Sequence, residues 1–166
     1  MCHVFTSPIT CSAFRPLPDR RTALSVIDQS ALLPYSAEQM FALVNDIDAY
    51  PLFMDGCLDA EVLERTEDQV TGRLVLGKAG LRYSFTTCNV IHRPESMIMS
   101  LVEGPFRQFE AIWTFKPLGD SACKVSLHMA FEFSSGLVDA ALKLLFESTS
   151  KNLVNAICKR AEALYG

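Results

Sequence analysis

Residues 123–166, CKVSLHMAFEFSSGLVDAALKLLFESTSKNLVNAICKRAEALYG, change their hydrophobic period midway. Up to Phe133 the period is two, with Cys123, Val125, Leu127, Met129, Phe131 and Phe133 alternating with Lys124, Ser126, His128, Ala130 and Glu132. Successive strand side chains point to opposite faces, so this run predicts an antiparallel strand with one buried and one wet face. After Ser134, Ser135 and Gly136 the period becomes 3.6. Val138, Ala141, Leu142, Leu145, Phe146, Leu153, Ala156, Ile157, Ala161 and Leu164 then form one apolar stripe. Asp139, Lys143, Glu147 and Lys151 follow the other side at four-residue spacing with alternating sign, the mark of a solvated helical face. A helix of about 28 residues at 1.5 Å per residue is about 42 Å long, enough to cross a curved sheet diagonally.

The same period of two runs back from this strand to Cys57. Val70, Gly72, Leu74 and Leu76 share a face, as do Leu81, Tyr83 and Phe85, and as do Phe109, Ala111, Trp113 and Phe115. Lys78-Ala79-Gly80, Pro94-Glu95 and Gly119-Asp120 mark turns between neighbouring strands. No helix-length period interrupts them, which excludes a parallel βαβ sheet. Upstream, a strand is expected over Thr22–Leu33, stopped by Pro34. Ser36 with Gln39 three residues on predicts a capped helix through Met40, Phe41, Leu43 and Val44. Pro51 is expected to end that helix at Asp46–Tyr50, with one more turn at Leu52–Met54 before Gly56. The fold class is α+β, with six or seven antiparallel strands around a long C-terminal helix.

A chain of 166 residues, 49% hydrophobic and 20% charged, fits one globular domain with no need of a covalent staple. Its net charge of −4 argues against general nucleic-acid binding, and DNA is excluded as an expected partner. The six cysteines form no C-x-x-C pair and no zinc-like cluster with histidine. Cys88, Cys123 and Cys158 fall in apolar segments and read as reduced, buried thiols, so the expected compartment is the cytoplasm. No stretch reaches the roughly 18 apolar residues of a membrane span. Residues 1–21 have no helical period, and Pro16 and Pro18 would break the amphipathic helix of a transit peptide despite Arg15, Arg20 and Arg21. They are expected to be a disordered extension, leaving residues 22–166 as the folded domain.

Residues able to carry acid–base chemistry are few. His3 is in the tail, His92 ends a strand, and His128 lies on a wet strand face. Asp46 and Asp48 could pair as carboxylates, but beside a proline turn they read as caps for backbone donors. Glu61, Glu64 and Glu67 read as a solvated strand edge. Gly72, Gly77 and Gly80 have no phosphate-loop spacing, and Gly77 and Gly80 read as flanking a turn. No metal site and no catalytic residue is expected. What stands out is apolar bulk, with 11 Phe and six Met. A sheet gripping one helix leaves a wedge-shaped space that one layer of side chains need not fill, which points to a pocket.

Several motifs resemble one family in order and spacing. Leu33-Pro34-Tyr35-Ser36-Ala37-Glu38-Gln39-Met40-Phe41, Leu43-Val44-Asn45-Asp46-Ile47, Tyr50-Pro51, Phe53 and Gly56-Cys57 resemble the N-terminal signature of the RatA family. Lys78-Ala79-Gly80, Phe85-Thr86-Thr87, Gly104-Pro105-Phe106, Trp113-Thr114-Phe115-Lys116-Pro117-Leu118 and Phe131-Glu132-Phe133 continue the match. The likeness spans about residues 26–165. The chain departs from the pattern in its N-terminal tail and at Met54-Asp55, where leucine-proline is commoner. The resemblance implies a START-like helix-grip fold, a seven-stranded antiparallel sheet around the C-terminal helix.

It also implies two activities. The coenzyme Q-binding branch holds ubiquinone in an apolar tunnel and supports respiration; the RatA branch is named for a toxin that binds the large ribosomal subunit and blocks subunit joining. The leading expectation is a non-catalytic binder of ubiquinone or a similar polyprenyl lipid, with no required cofactor and with transient contact at the inner-membrane surface. Its apolar cleft would be lined by Phe85, Met97, Met99, Leu101, Trp113, Phe115, Leu127 and Met129 from the sheet and by Leu145 and Phe146 from the helix. Tyr50, Pro51, Phe53 and Met54 would form a lid, with Phe106 on the loop opposite. The alternative is ribosome binding, for which Lys143, Lys151, Lys159 and Arg160 are the candidate cations. A cyclase-type enzyme is the third reading.

Overall fold

Ser36 nucleates the first helix. In the computed structural model, which describes residues 24–134 and 140–166, its Oγ accepts from Gln39 N at 3.1 Å while Gln39 Oε1 accepts from Ser36 N at 2.9 Å. This reciprocal box satisfies two helix-end donors and starts α1, Ala37–Asn45. A 3₁₀ helix, Ile47–Leu52, follows at once, with Pro51 inside it, so α1 ends at Asp46, the first residue of the segment expected to stop it. Two side chains hold that short turn. Buried Tyr50 donates its hydroxyl to Val44 O at 2.6 Å, and Asp48 Oδ1 accepts from Val62 N at 3.1 Å. Asp48 therefore has the backbone-capping role expected of it, whereas Asp46 makes no side-chain cap bond.

The strands are β1 Ser25–Leu33, β2 Cys57–Arg65, β3 Gln69–Lys78, β4 Leu81–His92, β5 Ser96–Glu103, β6 Phe106–Pro117 and β7 Cys123–Phe133. They form one sheet in the order β1-β7-β6-β5-β4-β3-β2, with every neighbouring pair antiparallel. Consecutive hairpins build β2 to β7, and β1 then closes against β7. The two-residue turn from β3 to β4 places Ala79 and Gly80 at positive φ, 51° and 84°, as a tight hairpin of this handedness requires. Gly80 thus has the turn role expected of it, while Gly77 lies within β3. At Gly72 a Cβ would stand 2.9 Å from Ile47 Cδ1, so its bareness lets the 3₁₀ helix rest on the sheet.

The helix α2, Ala140–Tyr165, lies across the concave face. Leu145, Phe146, Leu153, Val154, Ile157 and Ala161 are buried beneath it, each large side chain contributing about 1.5–3 kcal/mol. Thr149 and Ser150 are buried too, which the apolar stripe did not include. Leu164 and Ala141, placed on that stripe, are exposed. Val138, Asp139 and the expected tail at 1–21 lie outside the described residues.

Candidate functional site

The concave face divides into a closed end and an open one. At the closed end, cross-strand rungs set Met97, Trp113 and Leu127 side by side, and the next rung sets Met99, Ala111 and Met129. Phe115 meets Phe41 of α1 edge-on at 5.6 Å, and Trp113 stacks on Phe115. Met97, Trp113, Phe115 and Leu127 are each 1% exposed. A second block is aromatic. A register shift in β6 between Phe106 and Gln108 brings both Phe106 and Phe109 to the concave side despite their odd separation. They join Phe85, Phe131 and Phe133 around Phe146 of α2, with ring centroids 4.8–6.4 Å from Phe146.

Beyond this block lies a groove of about 740 Å³ between α2, the segment after the 3₁₀ helix and the β3–β4 turn. Its apolar walls include Leu52, Phe53, Met54, Leu81, Leu144, Leu145 and Ala156. Ser148, Thr149, Asn152 and Asn155 add a polar stripe along α2. Lys78, Lys159 and Arg160 are its cations, and Asp55 is its sole acid among the described residues. Arg160 lies over the Phe53 ring, 5.7 Å from its centroid, so one groove cation is held against an aromatic wall. Gly56, at φ 84°, lets the loop approach α2 closely, since a Cβ there would be 3.0 Å from Thr149 Oγ1.

Of the residues expected to line a cleft, Phe53, Met54 and Leu145 come together in the groove. Phe85, Phe106 and Phe146 form the aromatic block that backs it, while Met97, Trp113, Phe115, Leu127 and Met129 are buried in the core. Met99 and Leu101 are half-buried and pack against that core. Tyr50 is buried and pinned by its hydrogen bond, and neither it nor Pro51 lines the groove. The period of two placed these residues on the right face, but it says nothing of where along a strand the face is open. The polar α2 residues recur at three- and four-residue spacing, but hydrophobic periodicity assigns such a polar face to solvent.

Among the described residues the groove lining contains no histidine or cysteine, and no group of three His, Cys, Asp or Glu could hold a metal ion. His92 is exposed, and His128 Nδ1 meets Asp28 Oδ1 at 2.6 Å on the convex face, away from the groove. Glu61 pairs with Arg73 and Glu67 is exposed, as a strand edge should be, but Glu64 is half-buried. Burial pushes the Cys57 thiol up to about 11 and raises Cys123 and Cys158 as well. These thiols, like Cys88, are free, and the raised groups are protonated at neutral pH and so weak nucleophiles. No helix among the described residues is long and apolar enough to cross a membrane.

Residues 33–158 match the model of a family described as polyketide cyclase / dehydrase and lipid transport. The ribosome association toxin RatA of Vibrio cholerae is 44% identical over 140 residues, covering 84% of this chain and 97% of that one. The mitochondrial coenzyme Q-binding protein COQ10 homolog B of Xenopus laevis is 27% identical over 143 residues, covering 83% of this chain and 58% of that one. Among solved structures, the Zhui aromatase/cyclase of Streptomyces sp. R1128 superposes with a TM-score of 0.72 at 18% identity, over 84% of this chain and 94% of that one. The 18 kDa protein CC1736 of Caulobacter crescentus does so at 0.65 with 30% identity, over 86% and 99%.

Proposed function

The chain belongs to the polyketide cyclase / dehydrase and lipid transport family, with RatA proteins among its relatives, and we propose that it binds an apolar ligand of the polyprenyl quinone class in the groove beside α2 without transforming it. The observation that carries this reading is the groove itself, about 740 Å³ with leucine, phenylalanine and methionine walls. That volume lies inside the roughly 300–1,000 Å³ range of ligand pockets. An isoprenoid tail is apolar along its length, and each 100 Å² of it removed from water contributes about 2.5 kcal/mol. The relative named as coenzyme Q-binding supports a quinone as the head group. Catalysis is not part of the proposal: among the described residues the groove lining holds one carboxylate, Asp55, and no histidine to pair with it.

The rim supports a membrane surface as the place of exchange. Leu52 and Leu144 are 73% and 67% exposed, and Lys78 and Lys159 stand beside them at the groove. Exposed leucines among cations suit transient contact with an anionic bilayer, from a working location in the cytoplasm. Isothermal titration with hexyl-1,4-benzoquinone tests the site. Wild type should bind it, and Ala156→Trp, which fills the half-buried wall of the groove, should stay folded and lose it. Unchanged binding in that variant would place the ligand elsewhere.

A second reading, association with the ribosome, is favoured by the 44%-identical relative named as a ribosome association toxin. On this chain the surface for it would be Lys143, Lys151, Lys159 and Arg160 along α2. Co-sedimentation with large ribosomal subunits, lost when these four are changed to glutamate but kept in Ala156→Trp, would establish it.

A further inference from the structure

Arg160 has no carboxylate to meet along its own helix. The residues three and four positions away on α2 are Ala156, Ile157, Ala163 and Leu164, so the pairing that neutralises many helical cations is closed to it. It is half-buried, yet it makes no ion pair and no hydrogen bond with any described residue. Its contact is the Phe53 ring, 5.7 Å from the guanidinium carbon. The helix dipole does not account for it either. That effect falls off within the last turn, and the last turn of α2 holds no basic residue.

Arg160 lines the groove, and Lys159 and Lys78 line it with it, the first from α2 and the second from the end of β3. Neither lysine forms an ion pair with a described residue, and Asp55, the one acid of the lining among those residues, is paired with none of the three cations. The groove is therefore positive on a chain whose formal net charge is −4. Ala156 and Ala163 line it on either side of Arg160 along the helix and leave room for a small head beside the guanidinium. Leu144 and Leu145 line it about 22–24 Å further back along α2, at about 1.5 Å per residue. One end of the groove is cationic and the other apolar.

We propose that the groove takes apolar molecules with an acid head, a carboxylate or phosphate on an acyl or isoprenoid tail, and holds them more tightly than neutral ones of the same shape. This rests on the groove being the ligand site. Arg160 is the anchor, because a planar fork held against an aromatic wall can give two parallel N–H bonds to one carboxylate. Lys78 and Lys159 add positive potential without fixed geometry. The charge sets the orientation: head against Arg160, tail along α2 toward Leu145 and Leu144. A neutral quinone uses the same walls and forgoes the ion pair.

Two probes of matched shape, 4-hexylbenzoate and 4-hexylbenzamide, differ in charge alone. The full chain is titrated with each as a monomer, without vesicles, which separates the ligand's own acid from an anionic bilayer. Wild type should bind the benzoate about tenfold more tightly, the worth of one charge-assisted pair. Arg160→Gln should bring that ratio close to one, and Arg160→Lys should keep part of it, since a point charge lacks the fork. Raising sodium chloride from about 0.05 M to about 0.5 M should shrink the wild-type ratio. Ala156→Trp, which fills the groove, should lose both probes. A wild-type ratio near one, a ratio that survives Arg160→Gln, or benzoate still bound by Ala156→Trp would overturn the acid-head preference and leave the quinone reading in place. So would a wild type that takes hexyl-1,4-benzoquinone and neither probe. Failure to bind any of the three would overturn the groove reading and this one with it.

Discussion

Truncating Phe146 to alanine removes the ring on which the helix grip centres. Phe146 is 2% exposed, and the rings of Phe106 and Phe131 each lie 4.8 Å away, with Phe85, Phe109 and Phe133 completing the shell. Those five come from three different strands, so the sheet cannot collapse onto the cavity without breaking register. Phe→Ala in a core costs about 3–5 kcal/mol, and this geometry puts the expected loss near the middle, about 4 kcal/mol. For a domain of this size each kcal/mol moves the melting temperature by about 2–4 °C, so Phe146→Ala should melt roughly 8–16 °C lower. Leu144→Ala, on an exposed position of the same helix, should stay within about 0.5 kcal/mol of wild type. Urea unfolding followed by far-UV circular dichroism measures both. A loss below about 1.5 kcal/mol at Phe146 would show that α2 is not clamped through this ring.

Smaller effects follow from single contacts. Ser36→Ala should cost about 1 kcal/mol in urea unfolding by dismantling the capping box of α1, and Ser36→Asn should recover most of it. Asp48→Ala should cost about 0.5–1.5 kcal/mol through the lost bond to Val62 N, while Asp46→Ala, with no side-chain cap bond to lose, should cost less in the same assay. Cys57 has a thiol pKa raised from 9.0 to about 11, so the unfolded chain loses that proton first as pH rises. Its contribution to stability is complete below about pH 9 and should be lost between about 9 and 11. Cys57→Ala should flatten that part of a urea-midpoint profile against pH.

The architecture was legible because burial on one face writes a period into every element. β7 shows it best: Cys123 to Phe133 alternates without a fault, and the odd residues are the concave ones. β6 shows the limit. Phe106 and Phe109 cannot share a face by counting, and only the register shift after Phe106 brings them together. The family resemblance supplied the strand number, which the pattern alone left at six or seven. The site was less legible, because position along a strand is set by where α2 and the loops fall. Leu127 and Leu145 look alike in sequence, yet one is sealed against Trp113 and the other lines the groove. Arg160 reads as one more cation of α2, and its contact with Phe53 is visible only when neighbouring elements are in place. Groove polar residues such as Asn152 and Asn155 belong to the helix face that binary patterning assigns to solvent.

Native mass spectrometry with lipid extraction, on the full chain purified under mild conditions from a quinone-producing host, tests the central claim most directly. A folded protein carrying the intact mass of a polyprenyl quinone, with that mass absent from Ala156→Trp prepared in parallel, is the predicted result. Wild-type protein that carries no apolar molecule, and takes none from quinone-loaded anionic vesicles, would contradict it.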